Sequence, residues 1–224
     1  MTDPGLKDRL AAVNERIASA AARRHRSENE IRLVAVTKVF PASAILDGYK
    51  LGLRDFGENY VQEFEGKAPQ LGELKDARFH LIGHLQSNKS RRAAELFQVI
   101  QTVDSAKLAR RLGEVGSPLD VMIEVKLSEE EAKSGAGAVE VPAIVEACRA
   151  ASNLKLLGLM TVPPWSENAE ESRPYFARLR EIATEHGLRE LSMGMSNDME
   201  VAIEEGATCV RVGTALFGKR KKHA

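Results

Sequence analysis

Eight short apolar runs alternate with helix-forming segments along this 224-residue chain, and no long polar linker separates them. Strands that alternate with helices lie parallel, because a parallel neighbour can be reached only by a crossover and a helix supplies it. The runs fall at 33–37, 54–57, 79–83, 99–103, 120–125, 156–162, 191–195 and 209–216. Eight such units in this length close into a (β/α)8 TIM barrel, an α/β fold with a packed centre and its chemistry at the carboxyl ends of the strands. The competing architecture is an open doubly wound sheet. No Gly-x-Gly-x-x-Gly follows the first run, which argues against that sheet. Before the first unit, Leu6, Leu10, Val13 and Ile17 recur at spacings of four, three and four, so an extra N-terminal helix is expected. Residues 1–224 are expected to form a single domain.

Local signals set the helices. Gly52 closes a helix over 42–51, and the next helix runs from Tyr60 to about Pro69. Ser87 or Asn88 is expected to cap the helix carrying Ala93, Ala94 and Phe97. Asp104 or Ser105 caps the one carrying Leu108 and Leu112. Val141, Ile144, Val145 and Cys148 share one helix face, with Pro142 tolerated in the first turn. Tyr175, Leu179 and Ile182 mark a further helix, and 127–138 reads as a polar loop.

Composition narrows the class. Lys and Arg together number 32, as do Asp and Glu, so no global field draws nucleic acid or an anionic membrane. The one basic run, Lys219 to Lys222, reads as a solvated tail. Cys148 and Cys209 sit in apolar contexts and are expected to be small core residues, which suits a reducing compartment. No apolar stretch reaches the length of a membrane span, and no signal peptide opens the chain. A cytoplasmic location is expected.

The candidate chemistry lies where the strands end. Lys38 follows a continuous apolar run that reads as a strand buried on both faces. A lysine partly removed from water there can become a neutral amine that condenses with an aldehyde. The alternative is a lysine that caps a strand and reaches solvent. Ser196 starts a helix in which Asn197 and Glu200 have capping-box spacing, and Gly206 ends it. A helix start of this kind offers backbone N–H groups to an anion. Gly213 and Thr214 add a close backbone approach and a hydroxyl, and barrels often bind phosphate after strands seven and eight. A lysine facing a phosphate cradle points to pyridoxal 5′-phosphate. Arg211, two residues before Gly213, would face the same side and donate to the pyridine nitrogen. A barrel-interior ion pair is the other reading of Arg211. His80 and His84 lack a paired cysteine or carboxylate at ligand spacing, so no metal site is expected.

The segments Leu33-Val-Ala-Val-Thr-Lys38, Phe56-Gly-Glu-Asn-Tyr-Val-Gln-Glu63, His80-Leu-Ile-Gly-His-Leu-Gln-Ser-Asn-Lys89, Gly158-Leu-Met-Thr161, Leu191-Ser-Met-Gly-Met-Ser196 and Arg211-Val-Gly-Thr-Ala-Leu-Phe-Gly218 resemble the pyridoxal phosphate homeostasis proteins. These are similar in fold to the N-terminal barrel of bacterial alanine racemase. The resemblance covers nearly the whole chain. It implies a Schiff base on Lys38, Arg211 facing the pyridine nitrogen, a phosphate held by Ser196, Gly213 and Thr214, and Asn59 beside the cofactor. Lys126 departs from the asparagine that many relatives carry, at the rim of the pocket. The family is regarded as non-enzymatic and serves vitamin B6 homeostasis, which leaves room for amino acids as second ligands and for hand-over to apo-enzymes. Only six residues follow Gly218, so the second domain that gives alanine racemase its opposing tyrosine is not expected. Two enzyme readings compete. One is an amino-acid racemase using Lys38 with Tyr60 or His80 as second base; the other is a cofactor-free Schiff-base aldolase.

Overall fold

A computed structural model describes residues 5–128 and 134–218. The basic run at 219–222 and residues 129–133 of the expected 127–138 loop lie outside them. Helix α1, Leu6–Ala22, comes first and buries Leu6, Leu10, Val13 and Ile17 on one face. Eight strands follow: β1 (Arg32–Val36), β2 (Asp55–Glu58), β3 (Arg78–Leu81), β4 (Val99–Val103), β5 (Leu119–Glu124), β6 (Leu154–Met160), β7 (Glu190–Ser192) and β8 (Cys209–Val212). All pair in parallel and in chain order, and β8 returns to β1 to close the barrel. Helices α2 (Ala42–Lys50), α3 (Val61–Lys67), α4 (Ser90–Leu96), α5 (Ala106–Gly113), α6 (Val141–Ala150), α7 (Arg173–Glu185), α8 (Met199–Glu204) and α9 (Thr214–Phe217) lie between and after the strands.

Alternation along each strand sorts side chains to two cores. Phe56 and Phe79 point outward and stack on each other at a ring-centroid distance of 6.0 Å; Phe79 meets Phe64 of α3 at 4.6 Å, and Phe64 in turn meets Phe97 at 4.9 Å. Inside, a Cβ on Gly57 would lie 2.9 Å from Val34 Cγ1 and 3.0 Å from Ile82 Cδ1, so only glycine lets these strands close over their own packing. Cys148 and Cys209 are free and buried. No helix among the described residues is long and apolar enough to cross a membrane.

Several boundaries differ from expectation. The apolar run 209–216 is a strand only to Val212; Gly213 turns the chain and Thr214 begins α9. A strand and a buried one-turn helix are equally apolar, so periodicity could not separate them. Strand β7 stops at Ser192 rather than at 195, since Gly194 takes φ +93°. Strand β6 starts earlier, at Leu154, and α3 ends at Lys67 with a 3-10 turn to Gln70. In α7, Phe176 takes the buried place expected of Tyr175.

Two caps also fail. Asp198, not Asn197, precedes α8, and Asn197 instead donates to Ser166 O while Glu200 pairs with Arg16. Neither Ser87 nor Asn88 caps α4, because a 3-10 turn over Ser87–Lys89 intervenes. Ser105 does cap α5, accepting from Leu108 N.

Candidate functional site

The carboxyl ends of the strands surround a cavity of about 840 Å³, and Lys38, Asn59, Ser196, Arg211, Gly213 and Thr214 all line it. That volume lies in the range of small-molecule and cofactor sites. Lys126 lines the same cavity, together with His84, Glu124 and Trp165.

Lys38 stands two residues beyond β1, and its neighbours on either side are fastened to the barrel wall. Thr37 Oγ1 donates to Glu58 Oε1 at 2.7 Å, and Lys67 Nζ donates to Thr37 O at 3.0 Å. Lys67 also meets both Glu58 oxygens, at 2.9 and 3.0 Å, and Glu63 Oε1 at 2.6 Å. Glu63 Oε1 in turn accepts from Val39 N at 2.6 Å. Glu58 is fully buried; burial pushes its carboxyl above the ordinary range, against the pull of Lys67 and Thr37. Val39 is held at φ +61°, a left-handed conformation that costs a β-branched residue roughly 1–2 kcal/mol. This strain is stored next to the lysine, where the buried carboxylate–ammonium cluster over-determines the backbone. Gly83 shapes the adjoining wall, because a Cβ there would come within 2.3 Å of Asn59 O.

Across the cavity, the loop after β7 and the start of α9 are knitted together. Ser196 Oγ accepts from Ala215 N at 3.2 Å, and Arg16 of α1 donates to Ser196 O at 2.9 Å while pairing with Glu200. Asp198 also lines the cavity, but its oxygens are turned onto Met195 N at 2.7 Å and the Ser172 hydroxyl at 2.9 Å. The hydroxyls of Ser196 and Thr214 and the backbone around Gly213 form a donor-rich wall.

Arg211 lies between these walls and is only 4% exposed. It donates to Ser192 Oγ at 2.6 Å and to Thr161 O at 2.8 Å, so its direct partners are a hydroxyl and a carbonyl, not the expected alternative of an ion pair. Burial disfavours its charge, yet a guanidinium keeps its proton in proteins. Glu124, near Arg211, has its carboxyl raised chiefly by burial, and Ser134 and Arg211 only partly offset this. Its Oε2 and Asn59 Oδ1 are buried with no hydrogen-bond partner among the described residues.

The two candidate second bases stand elsewhere. Tyr60 is 59% exposed and is not among the described residues lining the cavity. His80 is 1% exposed inside the barrel, with both ring nitrogens engaged by Asp55 and Gln101. Burial holds its pKa below the usual value despite the Asp55 hydrogen bond. No cluster of metal-ligating side chains occurs among the described residues. Sequence reasoning missed the parts played by Glu58, Glu63 and Lys67 around Lys38, and by Ser192 and Gln101 behind Arg211. Periodicity on α3 gives no sign that a lysine points inward. A Gln and a Ser inside apolar strands were the only available signal for the second group.

A parallel barrel with a strand-end lysine facing a donor-rich wall at strands seven and eight defines a class, and the family description "Alanine racemase, N-terminal domain" matches residues 9–221. Within that class, the chain belongs to the pyridoxal phosphate homeostasis protein family. It is 46% identical over 222 residues to the pyridoxal phosphate homeostasis protein of Pseudomonas aeruginosa, covering 96% of each chain. PipY of Synechococcus elongatus, solved with PLP bound, superposes with a TM-score of 0.80 at 39% identity, over 90% of this chain and 100% of that one. The structure of PipY without PLP gives 0.86 at 38% identity, over 95% of this chain and 100% of that one. Alanine racemase of Clostridium difficile shares the fold alone, with a TM-score of 0.73 at 15% identity over 99% of this chain and 58% of that one.

Proposed function

We propose that this chain binds pyridoxal 5′-phosphate in the mouth cavity, holds it as a Schiff base on Lys38, and serves vitamin B6 homeostasis without catalytic turnover of its own. The observation that carries this reading is convergence: Lys38 from β1, Arg211 from β8 and the Ser196, Gly213 and Thr214 wall face one cavity. The donor set fits the group. Hydroxyls and backbone N–H groups suit a phosphate, an amine suits an aldehyde, and a guanidinium suits an unprotonated ring nitrogen. When bound, pyridoxal phosphate supplies that aldehyde and a ring able to delocalise negative charge. Arg211 can only donate, so it leaves the ring nitrogen without a proton and limits that delocalisation. Asn59, which lines the same cavity, would lie beside the ring, and the Thr37–Val39 clamp holds the backbone that carries the Lys38 amine.

The absence of turnover is supported by the placement of Tyr60 in solvent and of His80 beneath the cavity. Racemisation needs a base on each face of the α-carbon, and neither residue occupies such a place. The chain acts as one domain over 1–224, in the cytoplasm, with amino acids as second ligands and apo-enzymes as acceptors of the cofactor. Two buried, unbridged thiols suit that compartment.

Borohydride reduction of the loaded protein followed by peptide mapping tests the covalent site. The label is expected on Lys38 and lost in Lys38→Ala, which keeps the fold because Lys38 lies beyond the strand. A label on another lysine refutes the assignment. A visible absorption band separates this reading from the cofactor-free aldolase. Robust conversion of L-alanine to D-alanine, lost in Tyr60→Phe, would establish the racemase instead.

A further inference from the structure

Behind Arg211 a continuous line of hydrogen bonds crosses the barrel interior. Arg211 Nη1 donates to Ser192 Oγ at 2.6 Å, and Ser192 Oγ donates to Gln101 Oε1 at 2.6 Å. Gln101 Nε2 lies 3.0 Å from His80 Nδ1, and His80 Nε2 lies 2.7 Å from Asp55 Oδ1. Ser192, Gln101 and His80 are each no more than 1% exposed, so water cannot replace a link. Asp55 ends the line at the opposite mouth, 3.7 Å from Arg32.

The direction of this line is set at its carboxylate end. At the other end a guanidinium only donates, so Ser192 accepts from it, and its own hydrogen is directed at Gln101 Oε1 2.6 Å away. The Gln101 amide then turns its NH2 to His80, whose Nδ1 must accept. The carboxylate of Asp55 only accepts, so His80 Nε2 must carry the hydrogen. The Arg211 end fits the tautomer that the Asp55 end demands. The reverse amide orientation would take Gln101 Oε1 away from the Ser192 hydrogen and set it against the bare Nδ1 of His80. All four links therefore point from a buried cation to a carboxylate, and such aligned bonds polarise one another.

We propose, resting on the reading that Arg211 faces the pyridine nitrogen, that Ser192, Gln101, His80 and Asp55 are positioning residues that fix the Arg211 guanidinium where it can donate to that nitrogen, with His80 locked as the neutral Nε2–H tautomer. The relay orients the guanidinium through a directly bonded hydroxyl rather than through a directly bonded carboxylate.

Two measurements test it. Nitrogen-15 NMR of the full chain without cofactor should show His80 at neutral pH with Nε2 protonated and Nδ1 bare; an Nδ1–H tautomer or an imidazolium overturns the relay. Gln101→Leu and Ser192→Ala, each verified as folded by circular dichroism, should still carry pyridoxal phosphate on Lys38. Both should bind it about fivefold more weakly and show a displaced visible absorption maximum, which a purely structural role would not move. An unchanged band in both variants overturns the positioning role. A wild-type protein that takes up no pyridoxal phosphate overturns the binding reading, and this inference with it, before any variant is made.

Discussion

The two ends of this barrel are built from similar residues and solve opposite problems. At the amino end, charged side chains answer one another: Arg78 with Asp120, and Arg32 with Asp55 at 3.7 Å and Glu190 at 3.6 Å. At the carboxyl end, Arg211 makes its direct bonds to neutral oxygens, and Asn59 Oδ1 and Glu124 Oε2 are buried with no partner among the described residues, around an open volume. Buried polar groups normally find partners within the protein. One end therefore closes on itself as structure, and the other leaves its complement to a ligand. The hydrogen-bond line from Arg211 to Asp55 joins the two.

The largest expected effect is at the wall of the open end. Lys67→Met would strand Glu58 and Glu63 and release Thr37, at a cost of about 3–5 kcal/mol for breaking a buried pair from one side. Urea unfolding measures this, and a loss no larger than that of an exposed ion pair would show that the clamp is slack. Smaller and of another kind are Ser196→Ala and Thr214→Val. Each should weaken pyridoxal phosphate binding by roughly 1–3 kcal/mol with little change in unfolding. Free phosphate should compete, so equal affinity for pyridoxal and its phosphate ester would remove the cradle. At the closed end, Arg78→Met should cost about 1 kcal/mol or less, since the pair is partly exposed, and should leave cofactor affinity untouched. A large affinity loss there would end the division of labour between the two mouths.

The smallest effect is a pH dependence. His80 has a folded pKa below its ordinary value of 6.5, because burial disfavours its cation. The unfolded chain therefore binds a proton that the folded chain refuses, and stability should fall as pH drops below 6.5. Glu58 and Glu124 act in the opposite sense: their raised pKa values favour the folded state as they take up protons. Comparing wild type with His80→Gln isolates the histidine. The slope just below pH 6.5 should disappear in the variant, and its persistence would show that His80 titrates freely in the fold.

Much of this was legible in the residues. Alternation of apolar runs with helical faces determined the parallel eight-stranded barrel, because each strand must be buried on both sides and each crossover must be a helix. Strand ends then placed Lys38, Asn59, Ser196, Arg211, Gly213 and Thr214 at one mouth, since in a closed parallel barrel all strand ends share it. Local pattern failed where two structures bury the same residues, as in the run that is strand to Val212 and helix from Thr214. It failed again at Asn197, where a cap was expected and the side chain reaches Ser166 instead. The inward turn of Lys67, the strain at Val39 and the line from Arg211 through Gln101 to Asp55 were decided by tertiary structure alone. Each depends on hydrogen-bond partners 9 to 91 residues apart in the chain. A sequence fixes which groups can donate or accept, but only closure of the barrel decides which of them meet.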